Sequence, residues 1–187
     1  MKLGLLGGSF NPIHHGHLIT ATRAAEAVKL DRVLFIPAAL SPLKSGRPLA
    51  PAKDRLAMLR LAVRGNPLFE ICDLELRRGG VSYTIDTLQE LKRRTQARLY
   101  WILGADAAKL LPRWKSINEV RALATFIILP RPGARPARRT PHQLVVEAPL
   151  LQISSSEIRD RVRNGRSVRY LVPEPVDRHI RQRGLYR

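Results

Sequence analysis

Short apolar, β-rich runs recur along the chain at Lys2 to Leu6, Arg32 to Ile36, Phe69 to Asp73, Leu99 to Leu103 and Thr125 to Leu129. Between them apolar residues fall at helical spacing, first from Leu18 to Val28 and then from Pro51 to Arg64, where Leu56, Leu59, Ala62 and Val63 mark one side. A third amphipathic stretch runs to about Arg94, with Ser82, Thr84 and Asp86 each able to cap it. Ser154 and Glu157 have capping-box spacing ahead of Ile158 and Val162, which predicts another helix start, and a helical segment continues past Pro173 to Arg183. Strands alternating with helices predict an α/β fold built on a parallel sheet. Such sheets bind ligands at the carboxyl ends of their strands, and each loop with candidate chemistry here follows a strand.

A chain of 187 residues suits a single domain, 1–187, with one buried core. It has one cysteine, Cys72, read as a buried strand residue; no internal disulfide can form, so a reducing, cytoplasmic setting is expected. The chain opens without a signal-type leader, and no apolar run approaches the ~20 residues of a membrane helix. A net charge of +18 would attract nucleotides and bind nucleic acid non-specifically at low salt. The basic residues are scattered, however, and aromatics make up 5%, which argues against a stacking platform for single strands. Pro130 to Pro141, rich in Pro and Arg, reads as an exposed loop.

The first predicted strand leads to the first helix through Gly7-Gly8-Ser9-Phe10-Asn11-Pro12-Ile13-His14-His15-Gly16-His17-Leu18. Gly7 and Gly8 suit a sharp turn with close backbone approach to a ligand, and the helix that follows points free N–H groups toward the same space, which favours an anion. If the helix has already begun, His14 and His17 share one face with Gly16 giving room between them. The spacing is neither the dinucleotide fingerprint nor a P-loop. A zinc pair would want further ligands close by, and this turn has none.

Later loops add candidates. Lys44, at the end of the proline-bounded segment after the second strand, can act as a point charge on a triphosphate or as an ordinary solvated lysine. Gly104 and Asp106 follow the fourth strand, where a bare backbone can approach a ligand. The Asp106 carboxylate can meet ribose hydroxyls, hold hydrated Mg²⁺, or cap a helix. Trp114, in the proline-marked Leu110 to Lys115 stretch, suits stacking on a flat ring. Arg113 and Lys115 beside it suit a carboxylate, and Arg131 follows the fifth strand. Ser156 and Arg159, three apart at a helix start, can reach one anion.

The opening motif resembles the signature of the nucleotidyltransferase superfamily that carries His-x-Gly-His, here His14-His15-Gly16-His17. From Met1 to about Ile180 the chain is similar to the bacterial nicotinate-mononucleotide adenylyltransferases. The segments that carry this are Ser82-Tyr83-Thr84-Ile85-Asp86-Thr87, Gly104-Ala105-Asp106 followed by Leu111-Pro112-Arg113-Trp114-Lys115, Ile153-Ser154-Ser155-Ser156-Glu157-Ile158-Arg159 and Tyr170-Leu171-Val172-Pro173. The chain departs from the pattern at Ser9 and Ser156, where threonine is usual, at Leu43 for histidine, and at Asn11 for aspartate. Asn11 is therefore given no catalytic role.

The resemblance implies a Rossmann-like doubly wound parallel sheet of about five strands with flanking helices and a C-terminal helical segment. It implies transfer of the adenylyl group of ATP to nicotinate mononucleotide, giving deamido-NAD and pyrophosphate, with no covalent enzyme intermediate. His17 would meet the α-phosphate, His14 and Lys44 the triphosphate, and Ser156 and Arg159 the leaving pyrophosphate. Gly7, Gly8, Ser9, Phe10 and Ile153 complete the implied ATP site. On the mononucleotide side stand Thr84, touching the nicotinate carboxylate, with Trp114 on the pyridine ring and Gly104, Asp106, Lys115 and Arg131 around them; Ser82, Tyr83 and Asp86 are taken as structural. Mg²⁺ would bind mainly through ATP, with no dedicated protein metal site, and the protein would act as a monomer or small homo-oligomer. Two alternatives compete: a related transferase acting on nicotinamide mononucleotide or phosphopantetheine, and a non-enzymatic RNA-binding protein, which leaves the histidine and serine motifs unexplained.

Overall fold

The computed structural model describes residues 1–42, 49–130, 142–147, 149 and 152–187. The elements run β1 (Lys2–Gly8), α1 (His15–Val28), β2 (Arg32–Pro37), α2 (Ala52–Val63), β3 (Phe69–Ile71), α3 (Leu74–Arg78), α4 (Thr84–Arg94), β4 (Arg98–Gly104), α5 (Ala105–Ala108), a 3₁₀ turn (Leu111–Arg113), α6 (Ile117–Leu123), β5 (Ala124–Leu129), β6 (Gln143–Val145), α7 (Ser155–Arg163) and α8 (Glu174–Gln182).

The strands form one parallel sheet in the order β3-β2-β1-β4-β5-β6. This is a doubly wound, Rossmann-like sheet, and its order reverses between β1 and β4, the crevice where such sheets bind ligands. It has six strands rather than about five. β6 is three residues long and follows a proline- and arginine-rich stretch, so no apolar run announced it.

Both faces of the sheet are covered, which is why Leu3 to Leu6 are all buried as a continuous apolar run. Leu6, Val33, Phe35, Ile102 and Ile127 face a core shared with α1, α2, α7 and α8. Leu3, Leu5, Ile36, Trp101, Leu103 and Phe126 face a second core built with α3, α4 and α6. Among the described residues no helix is long and apolar enough to cross a membrane.

Three sequence expectations are corrected by packing. α2 is more than scaffold: its buried stripe contains Asp54 and Arg55 beside Met58, Leu59 and Val63, while Leu56 is only half-buried. β3 ends at Ile71, so Cys72 lies just beyond the strand and is half-buried, its thiol pushed up chiefly by burial. None of Ser82, Thr84 and Asp86 caps α4; Tyr83 occupies the cap position without a side-chain bond, because Ser82 is committed elsewhere. The Ser154 cap is as expected, its Oγ accepting from the Glu157 N–H at 3.1 Å.

Candidate functional site

A cavity of about 590 Å³ opens at the carboxyl ends of β1 and β4, within the size range of small-molecule sites. Gly7, Gly8, Ser9, Phe10, His14 and His17 form one wall of it. Thr84, Gly104, Asp106, Trp114 and Lys115 form another, and Ser156 and Arg159 of α7, with Ile153 just before the helix, complete it. Lys44 and Arg131 lie outside the described residues.

The two glycines of the opening motif act differently from the sequence expectation. Both lie within β1, and neither makes the turn. A Cβ on Gly7 would sit 2.7 Å from the Trp101 ring, so its missing side chain makes room for that ring, whereas one on Gly8 would be in ordinary contact with the Phe10 ring at 3.4 Å; both glycines line the cavity. The turn itself falls on Phe10, whose φ of 46° is unusual for a side-chain-bearing residue and is held by burying its ring edge-on to His17 and beside Phe35. A Cβ on Gly16 would lie 3.0 Å from His14 Nδ1 and press on that ring.

α1 begins at His15, three residues earlier than the apolar periodicity indicated, so His14 is the N-cap and His17 stands in the first turn. Their rings stack with centroids 3.7 Å apart. The His14 backbone N–H donates to His17 Nδ1 at 3.3 Å. A nitrogen that accepts a hydrogen bond carries no proton, so this contact selects the neutral tautomer with its proton on Nε2. His17 is thereby prepared as a donor.

The first and last motifs meet although they are far apart in sequence. Ser155 Oγ donates to the Pro12 carbonyl at 2.9 Å, and Arg159 Nη1 donates to the Asn11 carbonyl at 2.9 Å. Arg159 Nη2 donates to Ser156 Oγ at 3.1 Å, so this pair does point at one region. The N-terminus of α7 is thus fastened beside that of α1. Ser9 Oγ is buried with no hydrogen-bond partner among the described residues, a donor available to a ligand.

Sequence reading missed Arg55, 2% exposed and reaching the motif from α2. Its Nη1 donates to the carbonyls of Ser9 and Ala38, each at 2.8 Å, and its Nε to that of Ala50 at 3.2 Å. Burial lowers its pKa from the ordinary arginine value. Only a packed helix could reveal this, since Arg55 in sequence looks like any surface charge.

A second missed group is Glu75, buried in the cavity wall. The Thr87 hydroxyl donates to Glu75 Oε1 at 2.7 Å and accepts from Arg78 Nη2 at 3.0 Å. Ser82 also bonds the carboxylate, while Ser82 Oγ accepts from the Ala39 N–H at 3.0 Å, tying the loop after β2 to the start of α4. Burial raises the Glu75 pKa more than these bonds lower it. The unfolded chain therefore loses this proton first as pH rises, and the native state is progressively disfavoured above about pH 4 until Glu75 itself ionises. Glu75→Gln does not titrate, so its stability relative to the parent should improve between about pH 4 and neutrality. Thermal unfolding at several pH values checks this, and a difference constant with pH would refute it.

On the ring-binding side, Trp114 packs edge-on to Trp101 and Phe126, each 6.1 Å away between centroids, and still presents surface to the cavity. Its packing is mixed, part core and part wall. Lys115 lies 3.7 Å from Asp86 and 4.6 Å over the Tyr83 ring while also lining the cavity. A Cβ on Gly104 would meet nothing within 4 Å, and the glycine leaves that backbone open to the cavity. Asp106 sits in the first turn of α5.

A doubly wound parallel sheet with paired imidazoles and two helix N-termini at its switch point defines a nucleotide-binding α/β protein of the nucleotidyltransferase kind. Comparison with known proteins agrees. The cytidylyltransferase-like family model matches residues 5–161. A Roseiflexus sp. (strain RS-1) protein named "Probable nicotinate-nucleotide adenylyltransferase" is 46% identical, covering 99% of this chain and 98% of its own length. One of the same name from Geobacillus kaustophilus is 44% identical, covering 99% and 86%. The solved Plasmodium falciparum nicotinic acid mononucleotide adenylyltransferase, complexed with NaAD, superposes with a TM-score of 0.85 at 19% identity, covering 99% of this chain and 97% of that one. The chain belongs to the cytidylyltransferase-like family and, within it, to the nicotinate-nucleotide adenylyltransferases.

Proposed function

We propose that the cavity at the switch point carries out adenylyl transfer in the following way. The 5′-phosphate of nicotinate mononucleotide attacks the α-phosphorus of ATP in line, forming deamido-NAD and releasing pyrophosphate. The mononucleotide phosphate is already anionic at neutral pH, so no protein nucleophile is required. Positioning and charge stabilisation supply the catalysis. The observation that carries this reading is the fastening of α7 to the His-x-Gly-His loop through Ser155 and Arg159, which gathers two anion-binding helix ends on one cavity.

His17 Nε2 donates to the α-phosphate, where negative charge grows in the transition state. His14, with Lys44, serves the triphosphate. Ser9 Oγ and the backbone around Gly7, Gly8, Phe10 and Ile153 complete the nucleotide site, and Ser156 and Arg159 hold the leaving pyrophosphate. The mononucleotide lies toward Thr84, Gly104, Asp106, Trp114 and Lys115, and Arg131, which follows β5 in sequence, is assigned to the same substrate.

Mg²⁺ would be held mainly by ATP oxygens and water. Among the described residues no group of three or more His, Cys, Asp or Glu could hold a metal ion, and of the cavity's carboxylates Glu75 is engaged by Thr87 and Ser82. Asp106, which lines the cavity, would be within reach of the ion's hydration shell. Such an ion would supply neutralisation of the phosphate charge.

Pyrophosphate release with ATP and Mg²⁺ tests the reading, comparing nicotinate mononucleotide, nicotinamide mononucleotide and phosphopantetheine. Turnover is expected chiefly on the first. Equal rates on the first two would remove the carboxylate assignment around Thr84, and activity on phosphopantetheine alone would overturn the acceptor. Trp114→Ala is expected to raise KM for the mononucleotide about tenfold, the scale of one aromatic stacking contact, with a smaller effect on KM for ATP. A selective loss of ATP affinity would reverse the two halves of the pocket.

A further inference from the structure

The segment after α8 is built to reach the opening motif. Gly184 adopts φ 58°, the Gly184 N–H bonds to the Arg181 carbonyl at 3.3 Å, and the Leu185 N–H bonds to the Ile180 carbonyl at 3.0 Å. This is a Schellman ending, in which a left-handed glycine turns the chain back across the helix. α8 is itself anchored on α2, where Asp54 Oδ1 meets His179 Nε2 at 3.1 Å and Arg183 Nε at 3.2 Å. The direction of the returning chain is therefore fixed, and it delivers Tyr186 to Asn11.

The Tyr186 hydroxyl donates to Asn11 Oδ1 at 2.9 Å, and the same oxygen accepts from the Ala50 N–H at 3.0 Å. The Asn11 carbonyl in turn accepts from Arg159 Nη1, whose second amino group holds Ser156. Burial pushes the Tyr186 phenol well above its ordinary value, so it remains a donor at neutral pH. Among the described residues Tyr186 is not part of the cavity wall, although its ring packs against the core beneath it.

We propose that Tyr186 is a positioning residue for the pyrophosphate end of the site: through Asn11 it fixes the carbonyl on which the Arg159 guanidinium is set. The inference rests on the assignment of Arg159 to pyrophosphate. It also explains what Asn11 does. The side chain is a two-way staple between the Ala50 strand of chain and the α8 ending, and its backbone carries the effect to Arg159.

Tyr186→Phe keeps the ring and deletes the one donor. Binding of magnesium pyrophosphate, followed by ³¹P NMR so that weak affinities remain measurable, is expected to weaken about three- to tenfold, the scale of one hydrogen bond. In an Arg159→Ala background the same Tyr186→Phe change should alter that affinity less than about twofold, because the group being positioned is gone. KM for nicotinate mononucleotide should stay unchanged. Tyr186→Phe binding pyrophosphate like the parent, or weakening it by the same factor in both backgrounds, would sink the inference while leaving the Arg159 assignment intact. Arg159→Ala binding pyrophosphate as tightly as the parent would sink the assignment and this inference together.

Discussion

His17→Ala is expected to lower kcat by about two orders of magnitude or more, ~3 kcal/mol, while the KM values for both substrates change only a few-fold. The expectation follows from the geometry of the imidazole. Its Nδ1 is occupied by the His14 N–H, its ring is stacked on His14, and Phe10 packs edge-on against it, so Nε2–H is held in one place before substrate arrives. A donor fixed in advance needs no reorganisation as charge develops on the α-phosphate, and it is worth most in the transition state. Two further variants separate orientation from donation. Gln can place an amide N–H near the Nε2 position, whereas Asn can mimic only the Nδ1 acceptor. His17→Gln should therefore retain more kcat than His17→Asn. The reverse order, or an undiminished kcat in folded His17→Ala, would remove His17 from this role.

The second large effect is expected at Arg55. Arg55→Ala should destabilise the protein by about 3 kcal/mol or more, because the buried carbonyl of Ala38 and the part-buried ones of Ser9 and Ala50 would lose their donor. For a chain of this size that corresponds to a fall in Tm of roughly 6–12 °C. Activity should fall as well, since the Ser9 carbonyl belongs to the loop that carries the phosphate-facing groups. Arg55→Lys keeps the charge but offers a single nitrogen to acceptors that lie in different directions, so an intermediate loss is expected. Thermal unfolding and initial rates on the same preparations check both. A Tm unchanged in Arg55→Ala would mean that solvent replaces the guanidinium, and the buried network would then be incidental.

Some residues announced themselves in sequence and others did not, for identifiable reasons. Ser154 and Glu157 declared the start of α7 because capping is a local interaction across one turn, and the observed bond is the expected one. The four longer strands, β1, β2, β4 and β5, declared themselves because strands covered on both faces are largely apolar. Asp54 and Arg55 were invisible because a charged pair of letters reads as surface until a second helix and a loop close over it. Glu75 was hidden for the same reason. The glycines of β1 were legible as important but not as part of a strand, since sequence cannot tell a turn from a backbone that passes close under the Trp101 ring, as it does at Gly7.

The sequence by itself determined the alternation of strands and helices, the family, and the residue types offered at the ends of β1, β4 and α7. These depend on periodicity, local capping and short motifs, which are properties of neighbouring residues. Only the tertiary structure decided the strand order that opens the crevice between β1 and β4, the 3.7 Å stacking that orients His17, and the joining of α7 and Tyr186 to one loop through Arg159 and Asn11. The last of these depends on contacts across more than a hundred residues of chain, and no local pattern encodes which backbone carbonyl a distant arginine will find.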